Sequence, residues 1–384
     1  MIGCAGIAAF VFPAGGDVMN NLVLAATYVG MALGLNIIVG FAGLLDLGYV
    51  AFFAVGAYTA GYLGSGFWNN AGRAGEGLWF LVAEPTAGLP GIHLNSLLIL
   101  LLAAVATAIA GIVIGLPTLR LRGDYIALVT LAFGEIIGSA VVNGDEIRLF
   151  GGTLTAGRKG ITPIDKIDLP FIERFGSLDL RPWYWLALAL AVAALVANLR
   201  LRDSRIGRAW VALREDEVTA SSVGVPVTRM KLLAYGTGAA FGGVWGAFLA
   251  AYLNTVNADQ FEFSFSIFVL AMVVLGGLGS VWGVALGATA LSAVNNYLLP
   301  EVFSGLPRQL GVDLDLAELS LGIYGFVLVI VMLLRPEGLA PGEGRAGRRL
   351  AVLDRTANGR DEDASPLTMA RVRRHHEHEG RESR

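Results

Sequence analysis

The chain has a single cysteine, Cys4, so an intrachain disulfide is excluded. Charge is scarce: Asp, Glu, Lys and Arg make up 15% of the 384 residues, against about 25% in soluble domains. Lysine occurs at Lys159, Lys166 and Lys231. None lies in a G-x-x-x-x-G-K-[ST] frame, so this chain cannot hold ATP in a P-loop. There is no H-E-x-x-H and no G-x-S-x-G either. His93 lies between apolar runs and His375, His376 and His378 in the polar tail, so no histidine sits in a span to serve an intramembrane hydrolase. The tail's HHEHE run reads as solvated terminal charge rather than a metal site. No basic domain is present to support nucleic-acid binding. Met1–Pro13 carries neither Lys nor Arg, which argues against a cleaved signal peptide. It is also short for a crossing, which takes about 20 apolar residues.

What fills the chain instead is apolar. Hydrophobic residues are 55% of it, with mean hydropathy +0.64, and this predicts an all-α polytopic membrane protein. Apolar runs place about ten transmembrane helices, at 1–13, 18–40, 41–62, 96–116, 125–142, 183–199, 232–252, 265–283, 284–299 and 319–334. Arginine and lysine concentrate in 200–231, in the turn 117–124 and after Leu334, whereas 253–264 and 300–318 are mostly acidic. The positive-inside rule then puts the first three in the cytoplasm and 63–95, 143–182, 253–264 and 300–318 outside. Ten crossings leave both termini cytoplasmic, or nine if Met1–Pro13 does not span. Residues 1–340 read as the transmembrane domain and 341–384 as a disordered charged cytoplasmic tail.

Two glycine-rich stretches interrupt the apolar pattern, GFAGLLDLGYVAFFAVGAYTAG (40–61) and LGGLGSVWGVALGATA (275–290). Interrupted segments in corresponding halves are the pattern of internal repeats, inverted ones included, around a central pathway; close packing through small residues is the plainer reading. Gly276 and Gly277 lie at the second interruption. Polar residues inside spans are few and costly to bury, so each is a candidate functional group. These are Asn36, Asp46 and Glu135, with Asn295 and Asn296 less deeply placed. Glu135, mid-span in ALVTLAFGEIIGSAVV, either faces a polar path or pairs with Asn143 or an arginine; pairing is the slightly favoured alternative.

The longest polar cluster between apolar stretches is LRLRDSRIGRAWVALREDEVTASSVGVPVTRMK. Asp203 or Ser204 can cap a helix there. Ile206, Trp210 and Leu213 fall at i, i+4 and i+7 on one face, and Gly224 followed by Pro226 supplies a stop. The spacing predicts a short amphipathic cytoplasmic helix over 205–224. Arg214, Glu215, Asp216 and Glu217 put three acids among four charges, which suits anionic lipid poorly, so a protein docks here rather than the bilayer.

With these residues in view, the chain resembles the permease subunits of branched-chain amino-acid ABC importers, the LivM-type branch. The likeness runs through GLNIIVGFAGLLDLGYVAFFAVGAYTAG (34–61), LRLRGDYIALVTLAFGEII (119–137), RIGRAWVALREDEVTASSVGVPVTRMKLLAY (205–235), VLGGLGSVWGVALGA (274–288) and LRPEGL (334–339), so it covers roughly residues 30 to 340. It implies a transport subunit rather than an enzyme, in a bacterial plasma (inner) membrane. ATP and Mg would be bound by two partner cytoplasmic ATPase subunits, with no cofactor in this chain. A second, LivH-like permease subunit and an external substrate-binding protein would complete the importer. The Arg208–Gly224 segment matches the family's ATPase-coupling motif, so Gly207, Arg208, Arg214, Glu215, Asp216, Glu217, Ala220 and Gly224 would serve coupling. Asn36, Asp46, Glu135, Gly276 and Gly277 would line the translocation path. TAGRKGI (155–161) is similar to the family's outer TGG-x-x-GI segment but departs from it at Ala156 and Arg158–Lys159. Asp46 and Tyr49 stand where Ser and His are usual, which leaves the cargo open between leucine, isoleucine and valine on one side and urea or short amides on the other. An ion-coupled secondary carrier is the rival of another class; it leaves the 205–224 segment idle.

Overall fold

The apolar run that opens at Asp17 forms helix α1 (Asp17–Leu35), which continues as a π-helical turn over Asn36–Phe41. Its 25 residues extend roughly 38 Å at about 1.5 Å each, enough to cross a hydrocarbon core of about 30 Å. The structure is a computed structural model and describes residues 16–68, 78–80, 91–119, 121, 125–149, 152–167, 175–176, 179–296, 322, 325–326, 329 and 338–340. The expected spans at 1–13 and 319–334 and the 341–384 tail therefore lie outside the described residues, almost entirely for the second. The chain divides at Ala340–Pro341, and every described residue belongs to the first unit.

After α1 come α2 (Val50–Leu63), α3 (Ser96–Thr118), α4 (Tyr125–Val142) and α5 (Arg181–Asp203). Two short helices come next, α6 (Arg205–Glu215) and α7 (Glu217–Ser222), and then α8 (Val227–Leu253), α9 (Phe263–Gly276) and α10 (Val281–Ala293). Five of these are long and apolar enough to cross a membrane: α1 with its π turn, α3, α4, α5 and α8. The protein is thus an all-α polytopic membrane protein with at least five spanning helices. Two expected boundaries move. The run at 41–62 becomes helical only at Val50, and the span at 265–283 stops at Gly276, because Gly277 takes φ +109°.

Helix α8 is the centre of the bundle and packs on α3, α2 and α1, while α1 also meets α10 and α5. Such proximity needs small residues where lipid offers no hydrophobic drive between helices. A Cβ on Gly56 of α2 would fall 2.2 Å from the Gly243 carbonyl of α8, and one on Gly246 would fall 2.2 Å from the Phe53 carbonyl. Buried aromatic rings fill the spaces left around this contact: Trp245, Phe248 and Trp183 stack edge to face. Helix α3 presents Leu101, Val105, Ile109 and Val113 outward at every fourth position, a stripe that suits acyl chains.

Described parts of three segments expected on the external side, 63–95, 143–182 and 253–264, meet at one end of the bundle. Strand β1 (Gly64–Ser65) pairs antiparallel with β3 (Ile92–Leu94), which pairs in parallel with β2 (Leu78–Phe80). Strands β4 (Arg148–Leu149) and β5 (Gly152–Thr153) form a small hairpin. Bridges Ser65–Ile164 and Ile161–Val256 tie these pieces together, and buried His93 bonds Asp165 through Nδ1. The strands are a minor addition to the helical fold and lie within connections read from sequence only as long outer loops.

Candidate coupling and translocation site

At the opposite end, the 205–224 segment is two helices rather than the single one expected. The break is at Asp216, whose extended backbone (φ −160°) ends α6 and whose Oδ1 accepts the Thr219 amide at 2.8 Å to start α7. That bond holds the Asp216 carboxyl below the usual carboxylate range. Ser204, not Asp203, caps α6 by accepting the Gly207 amide at 3.1 Å. Gly207 is packed against the end of α5, where a Cβ would lie 2.1 Å from the Leu201 carbonyl, so the chain can double back there at once. Helix α7 ends in a Schellman motif: the Val225 amide donates to Ala220 and the Gly224 amide to Ser221, with Gly224 at φ +87°.

The two faces of this segment differ. Inward, Trp210 and Leu213 are buried and Trp210 Nε1 donates to the Met230 carbonyl at 2.8 Å, whereas Ile206 is 37% exposed. Ala220 is also buried. Glu217 receives Lys231 Nζ on both carboxylate oxygens at 2.9 Å, with the lysine side chain 4% and the glutamate 38% exposed. Outward lie Glu215, Asp216, Thr219, Ser221, Ser222 and Gly224, together with Val211 at 40% exposure and the two barest apolar side chains, Val218 at 63% and Val223 at 74%. Arg208 is on this side too and donates to the Asp203 carbonyl at 2.8 Å. Sequence reasoning missed Lys231, although a lone lysine opening an apolar helix is a readable signal for a buried ion pair.

Arg214 turns inward and donates from Nη1 to the Gly40 carbonyl at the end of the α1 π turn. Its stem lies against Gly43 (φ +71°), where a Cβ would be 2.6 Å from Arg214 Cγ. Its Nη1 also sits 2.9 Å from where a Cβ on Gly279 (φ +83°) would be. The Gly279 amide in turn donates to Asn36 Oδ1 at 2.9 Å. Thus the two glycine-rich interruptions touch one another, with Asn36, Gly40, Gly279 and Arg214 at the contact. Gly276 is packed on α10, a Cβ there falling 2.4 Å from the Gly283 carbonyl. The 338–340 segment closes over the same turn, since the Leu339 and Ala340 amides donate to Leu275 and Gly276. A cavity of about 180 Å³ lies between the 42–45 turn and α6, bordered by Arg214, Glu217 and Lys231.

Asp46 is buried in the same turn as Gly43 but faces α4. Its Oδ1 accepts the Gly48 amide at 2.8 Å, and the neighbouring Leu47 amide donates to Thr130 Oγ1 at 3.1 Å. Asp46 Oδ2 and Asn36 Nδ2 are buried without a hydrogen-bond partner among the described residues. Glu135 stands apart. Among the described residues it does not pair with Asn143 or an arginine, the slightly favoured alternative; Asn143 Nδ2 donates to the Ser139 carbonyl instead. Glu135 is exposed and lines a cavity of about 400 Å³ between α4 and the 258–263 segment, beside Arg158, Asp259 and Glu262. Two of these neighbours, the exposed Arg158 and Asp259, approach to 3.7 Å.

No solved structure matches the chain. The high-affinity branched-chain amino acid transport system permease protein LivM of Salmonella typhimurium is 37% identical over 338 residues, 82% of this chain and 68% of the relative. A probable branched-chain amino acid transport permease protein LivM of Methanocaldococcus jannaschii is 27% identical, over 82% of this chain and 90% of its own. The corresponding LivH of Escherichia coli K12 is 23% identical, over 84% and 94%. A family model described as branched-chain amino acid transport system, permease component, matches residues 18–332. That match spans most of the chain, which therefore belongs to the permease-component family of branched-chain amino-acid transport systems, as a membrane transport subunit.

Proposed function

We propose that this chain carries leucine, isoleucine or valine across a bacterial plasma membrane as one of two unlike permease subunits, the other LivH-like. Two ATPase subunits dock on the cytoplasmic side and a substrate-binding protein delivers cargo outside. The observation that carries the reading is the two-faced 205–224 segment. It is fastened inward by Trp210, Arg214 and the Glu217–Lys231 pair, and it offers Val218 and Val223 to water, where a monomeric surface gains nothing from two bare valines. The exposed rim of Glu215, Asp216 and Gly224 surrounds that apolar centre as polar residues surround an interface core. Gly207, Ala220 and Glu217 then serve coupling by shaping and fastening the segment, and Arg208 by bonding the α5 terminus.

In this reading ten spans put both termini in the cytoplasm, and the two interruptions belong to inverted halves. The path runs past Asn36, Asp46, Gly276 and Gly277 toward the outer cavity at Glu135. Support comes from Asn36 Nδ2 and Asp46 Oδ2, buried polar atoms beside the interruptions that would contact a passing ammonium, carboxylate or water. Affinity for an apolar side chain need not reside here if the external protein supplies it.

The test is uptake of labelled leucine and of urea by the complex in proteoliposomes, with ATP inside, for the native chain and for V218R. ATP-dependent leucine uptake that falls about tenfold or more in V218R, the effect of about 1.4 kcal/mol at an interface anchor, upholds both cargo and docking face. Urea uptake would replace the cargo. Gradient-driven uptake by the chain alone, indifferent to V218R, would overturn the importer reading.

A further inference from the structure

Arg214 belongs to α6 by sequence but to the two interruptions by contact. Four observations bear on what it does there. First, the last carbonyls of a helix lack intrahelical donors and carry the negative end of its dipole. In α1 the π turn satisfies Ile37 and Ile38 through the Ala42 and Leu44 amides, and Gly40 receives Arg214. Second, the same guanidinium lies against Gly279 in the other interruption, whose amide is bonded back to Asn36 on α1. Third, Gly43, Gly277 and Gly279 all take positive φ, so each interruption contains backbone able to change direction at little steric cost, as hinges do. Fourth, Arg214 is the penultimate residue of α6, and α6 is anchored at Trp210 while α7 beyond it is largely exposed. A rotation of α6 about Trp210 moves Arg214 relative to both interruptions at once.

We infer that Arg214 is a positioning residue that latches the two interrupted segments to each other and to the cytoplasmic helices. Movement of α6–α7 is thereby converted into opening or closing of the interruptions, and docking of a partner is left to other residues. Two properties of arginine suit the role. Its planar fork offers several donors in fixed directions, and it stays charged at any relevant pH. A lysine reaches one carbonyl as a point charge but does not present a fork to both sides. The inference deepens the coupling role proposed above and rests on that reading for its consequence in transport.

Two readouts on the intact complex test it, with R214Q and R214K. The first is hydrogen exchange of the peptides covering 40–44 and 277–280, compared with 245–252 in the core. Loss of the latch raises exchange in both interruptions by about tenfold in R214Q, the change expected when opening becomes easier by about 1.4 kcal/mol, and leaves 245–252 unchanged. The second is cargo transported per ATP hydrolysed in proteoliposomes. R214Q should keep hydrolysis within about twofold of native while transport per ATP falls about tenfold, with R214K between the two. A docking role for Arg214 would lower hydrolysis and transport together at a constant ratio; that outcome overturns the inference, as does unchanged exchange in the interruptions. If R214Q does not assemble, R214K decides by the same measures, because it keeps the charge and the length. Exchange is read without cargo, so a failed importer assignment and a failed latch give different results.

Discussion

The two interruptions do the same thing to the backbone by different means. The first, Asn36–Tyr49, is long: a π turn, a glycine at φ +71°, then a stretch whose polar side chains are buried, Asp46 on Gly48 and Tyr49 on the Gly238 carbonyl. The second, Gly277–Ser280, turns in four residues on two glycines at φ +109° and +83°, and within it only Ser280 has a polar side chain, used to cap α10. One is therefore built from side-chain chemistry and packing, the other from backbone freedom. The first can hold polar groups against a passing solute or water; the second can receive a contact and bend. If that contrast is right, substitutions should hurt the first by collision and lost bonds and the second by strain.

The largest effect is expected where collision is unavoidable. A Cβ on Gly48 would lie 2.0 Å from the Thr130 carbonyl of α4, and neither partner is a flexible side-chain end. G48A should therefore cost about 3 kcal/mol, the upper part of the range for overpacking. It should appear as a clear fall in the unfolding temperature of the purified protein, and an unchanged value would mean that α4 is free to move aside. Next comes strain in the second interruption. G279A forces a side chain into a left-handed backbone, about 1–2 kcal/mol, and crowds Arg214 as well. G224A offers the control, since Gly224 has a similar φ but nothing within 4 Å of its Cβ position. The excess destabilisation of G279A over G224A measures contact across the interruptions; equal losses would show that the second is a bare turn.

Much of this arrangement was legible in the residues. Long apolar runs marked α3, α4, α5 and α8 to within a few positions, because a crossing demands continuous hydrophobicity and nothing else imitates it. The glycine clusters located both interruptions but not their ends: hydropathy stays high through Gly277 and Phe41, while helicity depends on φ and on which carbonyls find donors. The 205–224 segment showed its cap and its stop, and hid its break, since Asp216 reads as one more surface charge until its carboxylate is seen on the Thr219 amide. Arg214 and Glu217 looked like neighbours on one charged face. Their separate destinations, Gly40 and Lys231, depend on partners distant in the chain and have no local pattern. Glu135 illustrates the opposite limit: a carboxylate in an apolar run does not show locally whether it pairs or faces open space, and here it opens onto a cavity at the bundle's surface.

The smallest and most discriminating effect lies in one hydrogen bond on each side of the comparison. Asn36 accepts the Gly279 amide and so bonds one interruption directly to the other, whereas Arg214 bonds Gly40 and lies against Gly279. N36A leaves that amide without its acceptor and should cost about 1–2 kcal/mol, more than a typical net hydrogen bond because a donor is stranded. S280A removes the cap that accepts the Gly283 amide at 3.1 Å and should cost about 1 kcal/mol. The two losses are similar in unfolding temperature and differ in where they are felt. N36A should speed hydrogen exchange at 277–280 and at 40–44 together, since the bond joins them, whereas S280A should speed it at the start of α10 only. Exchange confined to one interruption in N36A would mean that the two segments meet without acting on each other, and the contrast between a chemical and a mechanical interruption would then be one of composition alone.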